Sequence, residues 1–309
     1  MSGGHLAVTR RLGLDATTAE VVEALRERGV RALLFKGPVL ERWLYPDGRV
    51  YGDIDLLVSP ASFRRAEGAL AELGFQMRFA GARASELWHW PHERAWRRGS
   101  FDVDLHRSVW GVGVPAETAW TVLSERTAWL EIAGARVDVA GEHVQAFLVA
   151  LHAAQHGRGE RKPLEDLRRA LDIADESLWR EAAGVARRLG SSAVFAVGLG
   201  LLPAGEELAG RLGLQRNASV EVHLFSEGAP PLSMGFLRFA AAPSLRARLA
   251  LLITELVPSP PFMRSTSELA RRGRIGLFAT YVLRPFSLCA QTPAAWRAVR
   301  DARRRARAA

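Results

Sequence analysis

Apolar positions along this chain follow two periods, and the change from one to the other divides it. Thr17-Thr18-Ala19-Glu20 is a capping-box pattern, and Val21, Val22, Leu25 and Val30 follow at near-helical spacing, which predicts a helix over about 18–28. Arg31–Phe35 is a short β-like run that breaks at Lys36-Gly37, where a second helix is expected to start and to run to about Leu44. Tyr45–Arg49 (YPDGR) is turn chemistry. Asp53–Val58 reads as a strand, Pro60 suits the first turn of a helix reaching Leu73, and Phe75–Phe79 reads as a further strand. FDVDLH, Phe101–His106, alternates strictly and is the clearest half-buried strand of the chain. WLEIAGARVDVA predicts a hairpin turning about Ala133-Gly134. Beyond Gly141 helical spacing takes over, with a proline-rich break at Val257–Arg264 (VPSPPFMR) and no internal repeat. The pattern predicts an α+β chain (mixed α/β) of two parts, residues 1–140 and a mostly helical 141–309.

Two of these strands carry acids where apolar residues would be expected. Side chains alternate along a strand, so Asp53 and Asp55 share one face while Ile54, Leu56 and Val58 take the other. Like charges side by side are costly to withdraw from water unless a cation neutralises them. FDVDLH repeats the device: Phe101, Val103 and Leu105 point inward, and Asp102, Asp104 and His106 point opposite. If the two strands are neighbours, three carboxylates converge, and an all-oxygen set of that kind suits Mg²⁺ or Mn²⁺. At the other end of the same segment, Gly37 lets backbone approach a ligand where a helix begins, and helix N-termini attract anions. Lys36 adds a compact positive charge and Arg49 a two-pronged donor. Carboxylates beside a phosphate cradle predict a site for a nucleoside triphosphate.

The array LLFKG, RVYGDIDLLV and FDVDLH resembles the nucleotidyltransferases of the DNA polymerase β superfamily, and most of all a bacterial branch described as uncharacterised nucleotidyltransferases. That branch has Lys-Gly after a strand, an Arg shortly before Asp-x-Asp, and a later Asp-Leu-His. A helix with His-x-x-x-His then leads to an Asp-Leu or Asp-Ile pair, matched here by HAAQHGRGERKPLEDL with His152, His156 and Asp166. The resemblance implies a polymerase β-like domain with a short mixed sheet, a helical domain closing the cleft, and transfer of a nucleoside monophosphate from an NTP, ATP above all, with release of pyrophosphate. It also implies that Asp53 and Asp55 bind both catalytic metals, that Asp104 completes the site, and that Gly37 holds the triphosphate. Asp102 shares the face of Asp104 and is the alternative third carboxylate. The sequence departs from the superfamily at Pro38, where Gly or Ser is usual, and Pro removes a backbone donor. The acceptor is open between a small molecule, a peptide, a protein and an RNA end.

Other side chains extend the candidate site. His106 is expected either to contact substrate or to be a partly buried, hydrogen-bonded histidine. His152 and His156 share a helix face at i and i+4, lining the cleft or, with Asp166, serving as zinc ligands of a hydrolase. HWPHE (His89–Glu93) is no metalloprotease motif, because Pro91 separates the histidines and the Glu is misplaced, but His92 and Glu93 can line a substrate pocket. Trp88, Trp90, Trp96 and Trp110 are expected in the core, with base stacking as the alternative.

Composition changes this picture in three places. Only Lys36 and Lys162 of the 42 basic residues are lysines, which points to a special role for Lys36 and adds Lys162 to the cleft candidates. The net charge of +9 suggests nucleic acid until it is located: Arg297, Arg300, Arg303, Arg304, Arg305 and Arg307 against Asp301 account for five of the nine. That is a solvated helix end or, as the alternative, a polyanion contact. The lone Cys289 excludes a disulfide within the chain and any cysteine-cluster metal site. No secretory signal or membrane span is read, Ile275–Leu283 being too short and expected as a buried helix, so a cytoplasmic protein is the expectation. A nucleotide-binding or interaction protein without catalysis is the main rival to the enzyme.

Overall fold

The computed structural model describes residues 2–86 and 92–308. Among them seven strands form one mixed sheet: β1 (Ala32–Leu34), β2 (Asp53–Val58), β3 (Gln76–Met77), β4 (Glu93–Arg98), β5 (Phe101–His106), β6 (Thr127–Ile132) and β7 (Ala135–Ala140), in the spatial order β3-β4-β5-β2-β1-β7-β6. β2 runs parallel to β5 and antiparallel to β1, and β1 runs parallel to β7. The β4–β5 and β6–β7 pairs are antiparallel hairpins. The second turns through Ala133 and Gly134, both at positive φ (47° and 81°), the geometry a two-residue hairpin needs.

Both faces of the sheet are covered, and alternation sorts the residues between them. Leu34, Ile54, Leu56, Val58, Val103 and Leu105 pack with Val21, Leu25 and Leu70 of helices Ser2–Glu27 and Phe63–Glu72. On the opposite face Leu33, Phe35 and Leu57 pack with Phe147 and Leu151 of helix Glu142–His156. That helix is apolar on nearly every side because helices Glu176–Arg188 and Ser192–Leu199 pack against its far side. Phe35 and Leu40 therefore share one apolar cluster with Phe147 and Leu151, across the division expected at 140. The chain ends in a 35-residue helix, Arg274–Ala308, with Pro285 and Pro293 inside it.

Several expectations are corrected. The first helix begins at Ser2, not near 18, and Thr17 and Thr18 do not cap it. Their hydroxyls donate back to the carbonyls of Gly13 (2.7 Å) and Leu14 (2.8 Å) inside the helix. Strand Phe75–Phe79 shortens to Gln76–Met77, and β4 is additional. The apolar run Ile275–Leu283 is helical but not buried, with Ile275 85% and Phe278 70% exposed. Among the described residues no helix is long and apolar enough to cross a membrane.

Candidate active site

The parallel pairing of β2 and β5 sets Asp53 opposite Asp102 and Asp55 opposite Asp104. These acids occupy the sheet face turned toward helix Glu142–His156, next to the apolar packing of Leu57. Beside them opens a cavity of about 280 Å³ whose lining includes Lys36, Asp53, Glu93, Asp104, His106 and Trp110, with His152 and His156 on the helical wall. The sheet supplies the acids, and the helix supplies the imidazoles.

Asp55, between Asp53 and Asp104 on the sheet face, is 2% exposed. Its Oδ1 accepts from Lys36 Nζ at 2.7 Å and faces His106 Nε2 at 3.3 Å. Burial alone would raise its pKa, but Lys36 and His106 overcome this and hold the carboxyl well below its ordinary range. Its Oδ2 is buried and has no hydrogen-bond partner. Asp104 has the reverse balance. Burial and then the charge of Asp55 push it up to about 7, so its ionised form is disfavoured in a cation-free site. Asp53, at the exposed start of β2, sits in a hollow crowded enough that partial desolvation and Asp55 also raise its pKa. Lys36 is raised despite its burial, because Asp55 holds its ammonium.

Asp102 is separated from this group by a partner of its own. Arg97 of the neighbouring β4 donates to both its carboxylate oxygens at 2.6 Å. Asp104 faces Ala95 in the same register, which leaves its carboxylate turned to the cavity.

An orphaned buried oxygen on Asp55, flanked by acids whose charged forms are disfavoured, fits a hard divalent cation. The three aspartates are nevertheless spread: among the described residues, the only three metal-ligating side chains with atoms all within 4.8 Å of one another are His92, Glu93 and His106. Of the three, Asp55 is the one that Lys36 pairs with directly.

The remaining candidates are placed as follows. Gly37 has φ 50°, a backbone conformation that favours glycine, and precedes Pro38 at the start of helix Pro38–Leu44. Pro38 has no N–H and that of Val39 donates to the Lys36 carbonyl at 3.0 Å, so the corner has fewer backbone donors for an anion than expected. Arg49 is paired within the fold: its guanidinium donates twice to Asp166, at 3.1 and 2.6 Å, with both side chains almost fully buried. Tyr45 Oη donates to the same carboxylate at 2.5 Å. Asp166 therefore ties helix Arg161–Ile173 to the turn before β2 and does not join His152 and His156 as a third metal ligand. Those two rings meet edge to face at 4.5 Å, and burial with the charge of Lys36 lowers both pKa values, that of His152 strongly. They are neutral cavity walls. Lys162 is lowered by burial and by Arg49, with Asp53 among the acids that oppose the shift. His92 is pushed down to about 3 by burial and by His106.

Sequence reasoning named Glu93 and Trp110 as candidates but missed the strand that carries Glu93. Glu93 opens β4 opposite His106, and ERAWRR carries one buried apolar residue, Trp96, too weak an alternation to reveal the strand. Trp110 lines the cavity with its ring against Phe225 (5.2 Å between centroids), although nothing in its spacing distinguishes it from a core residue. Trp88, Trp90 and His89 lie outside the described residues.

Solved structures with limited similarity include the antibiotic-resistance factor ANT(2'')-Ia in solution, at 14% identity over 58% of this chain and 95% of that one, with a TM-score of 0.43. ANT(2'')-Ia in complex with adenylyl-2''-tobramycin gives 15% identity over 56% of this chain and 97% of that one, TM-score 0.40. An antigenic nucleotidyltransferase-like protein from Paracoccidioides brasiliensis gives 13% identity over 59% and 91%, TM-score 0.35. No curated protein matches the chain significantly. The decisive likeness is to a family model that matches residues 5–204, a span holding the whole sheet, the acidic cavity and its helical wall. The chain belongs to the family described as uncharacterised nucleotidyltransferases.

Proposed function

We propose that the protein is a cytoplasmic, Mg²⁺- or Mn²⁺-dependent nucleotidyltransferase that moves a nucleoside monophosphate from an NTP, with ATP the expected donor, to an acceptor hydroxyl or related nucleophile. The observation that carries this reading is the buried Asp55 with one oxygen unpartnered, flanked on one cavity by Asp53 and Asp104. Asp53, Asp55 and Asp104 would hold the divalent ions, which supply charge neutralisation on the triphosphate and activation of the acceptor. Asp104 is preferred to Asp102 as third carboxylate because Arg97 already neutralises Asp102. Lys36 holds Asp55 ionised and stands at the cavity edge as the nearest cation for a phosphate. Gly37 provides close backbone approach. Arg49 acts from behind, fixing the Tyr45–Arg49 turn against Asp166. Residues 1–140 carry the chemistry in this reading and 141–309 close the cleft, with His152, His156 and Lys162 facing the nucleotide or the acceptor.

The test is incubation of the protein with each labelled NTP and Mg²⁺ in cell lysate. Label should move to one acceptor class, small molecule, peptide, protein or RNA, with release of pyrophosphate. Label transfer unchanged in Asp53→Ala would falsify the assignment. A second reading, nucleotide binding without transfer, is favoured by the scarcity of backbone donors at Pro38 and Val39. It predicts Mg²⁺-dependent binding with no pyrophosphate in any lysate.

A further inference from the structure

We propose that His92, Glu93 and His106 form a binding site for a borderline divalent transition ion of the Zn²⁺ type, separate from the aspartate set. One nitrogen or oxygen from each lies within 4.8 Å of the other two. His106 Nδ1 is 3.3 Å from Glu93 Oε2, and His92 Nε2 is 3.6 Å from the same oxygen. Ligands bound at about 2.0–2.1 Å to a tetrahedral ion stand about 3.3 Å apart, so each histidine is already near ligand–ligand spacing from Glu93.

Hydrogen bonding around His106 supports the same assignment. Asp55 Oδ1 accepts from the ammonium of Lys36, so the His106 nitrogen facing it, Nε2, carries the proton. Its other nitrogen, Nδ1, is buried, makes no hydrogen bond, and lies 3.3 Å from Glu93 Oε2. A divalent ion seated between that nitrogen and that oxygen would satisfy both. A histidine that binds a metal through one nitrogen and donates to a carboxylate through the other is a common supporting arrangement, and it fixes the ring's tautomer and orientation. Two imidazoles and one carboxylate suit a borderline ion, whereas three carboxylates suit magnesium.

All three side chains line the cavity beside the aspartates, so a fourth position faces the space where substrate would sit. Asp53, Asp55, Glu93 and Asp104 also bring four carboxylates to this region, against Lys36 close by and the charges of Lys162, Arg49 and Arg107. Because His106 contacts Asp55, an ion at this site would hold Asp55 in place from behind, making the triad a positioning device.

The test uses the full chain, stripped with chelator and titrated with Co²⁺ in excess Mg²⁺, and it does not depend on the proposed transfer activity. One equivalent of cobalt is expected, with visible d–d bands of tetrahedral strength. His92→Ala, just before the start of β4, should weaken binding at least about tenfold while leaving far-ultraviolet circular dichroism unchanged. Asp53→Asn should leave the bands intact. Zn²⁺ should also raise the melting temperature of the unsubstituted protein in excess Mg²⁺, and not that of His92→Ala. The proposal is overturned by an absence of visible bands in excess Mg²⁺, by bands that survive His92→Ala, or by bands lost in Asp53→Asn, which would put the ion on the aspartates.

Discussion

The Arg49–Asp166 pair illustrates how a charge read as ligand-binding can be structural. With side-chain exposures of 7% and 1%, neither charge has water to fall back on, so removing one partner strands the other. Arg49→Met should cost about 3–5 kcal/mol in urea unfolding, and the double variant Arg49→Met/Asp166→Leu should recover most of it. Tyr45→Phe, which removes one of three donors to the same carboxylate, should cost about 1–2 kcal/mol. Asp104 makes a different prediction. Its folded pKa of about 7 lies above its unfolded value of 3.8, so the native state binds the proton more tightly. Stability of the metal-free protein should therefore fall as pH rises from about 4 to about 7 and level off above, by at most about 4 kcal/mol. Asp104→Asn, or added Mg²⁺, should flatten that slope in melting curves. Asp55 has the opposite sign. Its depressed pKa means its contribution is lost only as pH falls below about 4, so the two windows do not overlap.

Close helix packing decides what can be substituted in the helical wall. Gly198 of helix Ser192–Leu199 faces helix Glu142–His156 so closely that a Cβ would lie 2.0 Å from the carbonyl oxygen of Ala150. Gly198→Ala should cost about 3 kcal/mol or more in denaturant unfolding and displace the wall bearing His152 and His156. A change within ±0.5 kcal/mol would show that the helices slide apart freely. Elements differ sharply in how far the sequence exposed them. β2 and β5 were legible to the residue because both alternate acids with large aliphatics, and burial selects the aliphatic face. β4 was not, because its side chains are held by cross-strand pairs such as Arg97–Asp102, which leave no apolar period. The first two turns of helix Ser2–Glu27 were equally silent, since glycines and polar residues there have low intrinsic helix preference. Proximity of His92 and Glu93 to His106 depends on the β4–β5 register, a long-range property with no local signal.

On the scale of the whole molecule, net charge was a poor guide and cleft construction a better one. The basic end of helix Arg274–Ala308 carries much of the charge, yet helix Leu245–Leu256 has no buried residue and exposes Leu245, Leu249, Leu252 and Ile253. The cavity, by contrast, draws on β1–β2, the β4–β5 hairpin and helix Glu142–His156 at once, so a ligand there bridges most of the matched family span. A ligand that binds only the folded state stabilises it by RT ln(1 + [L]/Kd), about 2.7 kcal/mol at a hundredfold excess over Kd. Mg²⁺ with a non-hydrolysable NTP should accordingly raise the melting temperature by about 5–10 °C, since 1 kcal/mol is worth about 2–4 °C in a chain of this size class. Neither component alone should reach that shift, because carboxylates repel a triphosphate in the absence of metal and metal alone lacks the phosphate ligands. Asp53→Asn should abolish the joint shift. His152→Ala should reduce it, and the reduction should vary between NTPs if the helical wall touches the base or sugar. Equal shifts for nucleotide with and without Mg²⁺ would mean that phosphate is held by Lys36 and the Gly37 corner rather than through the acidic face.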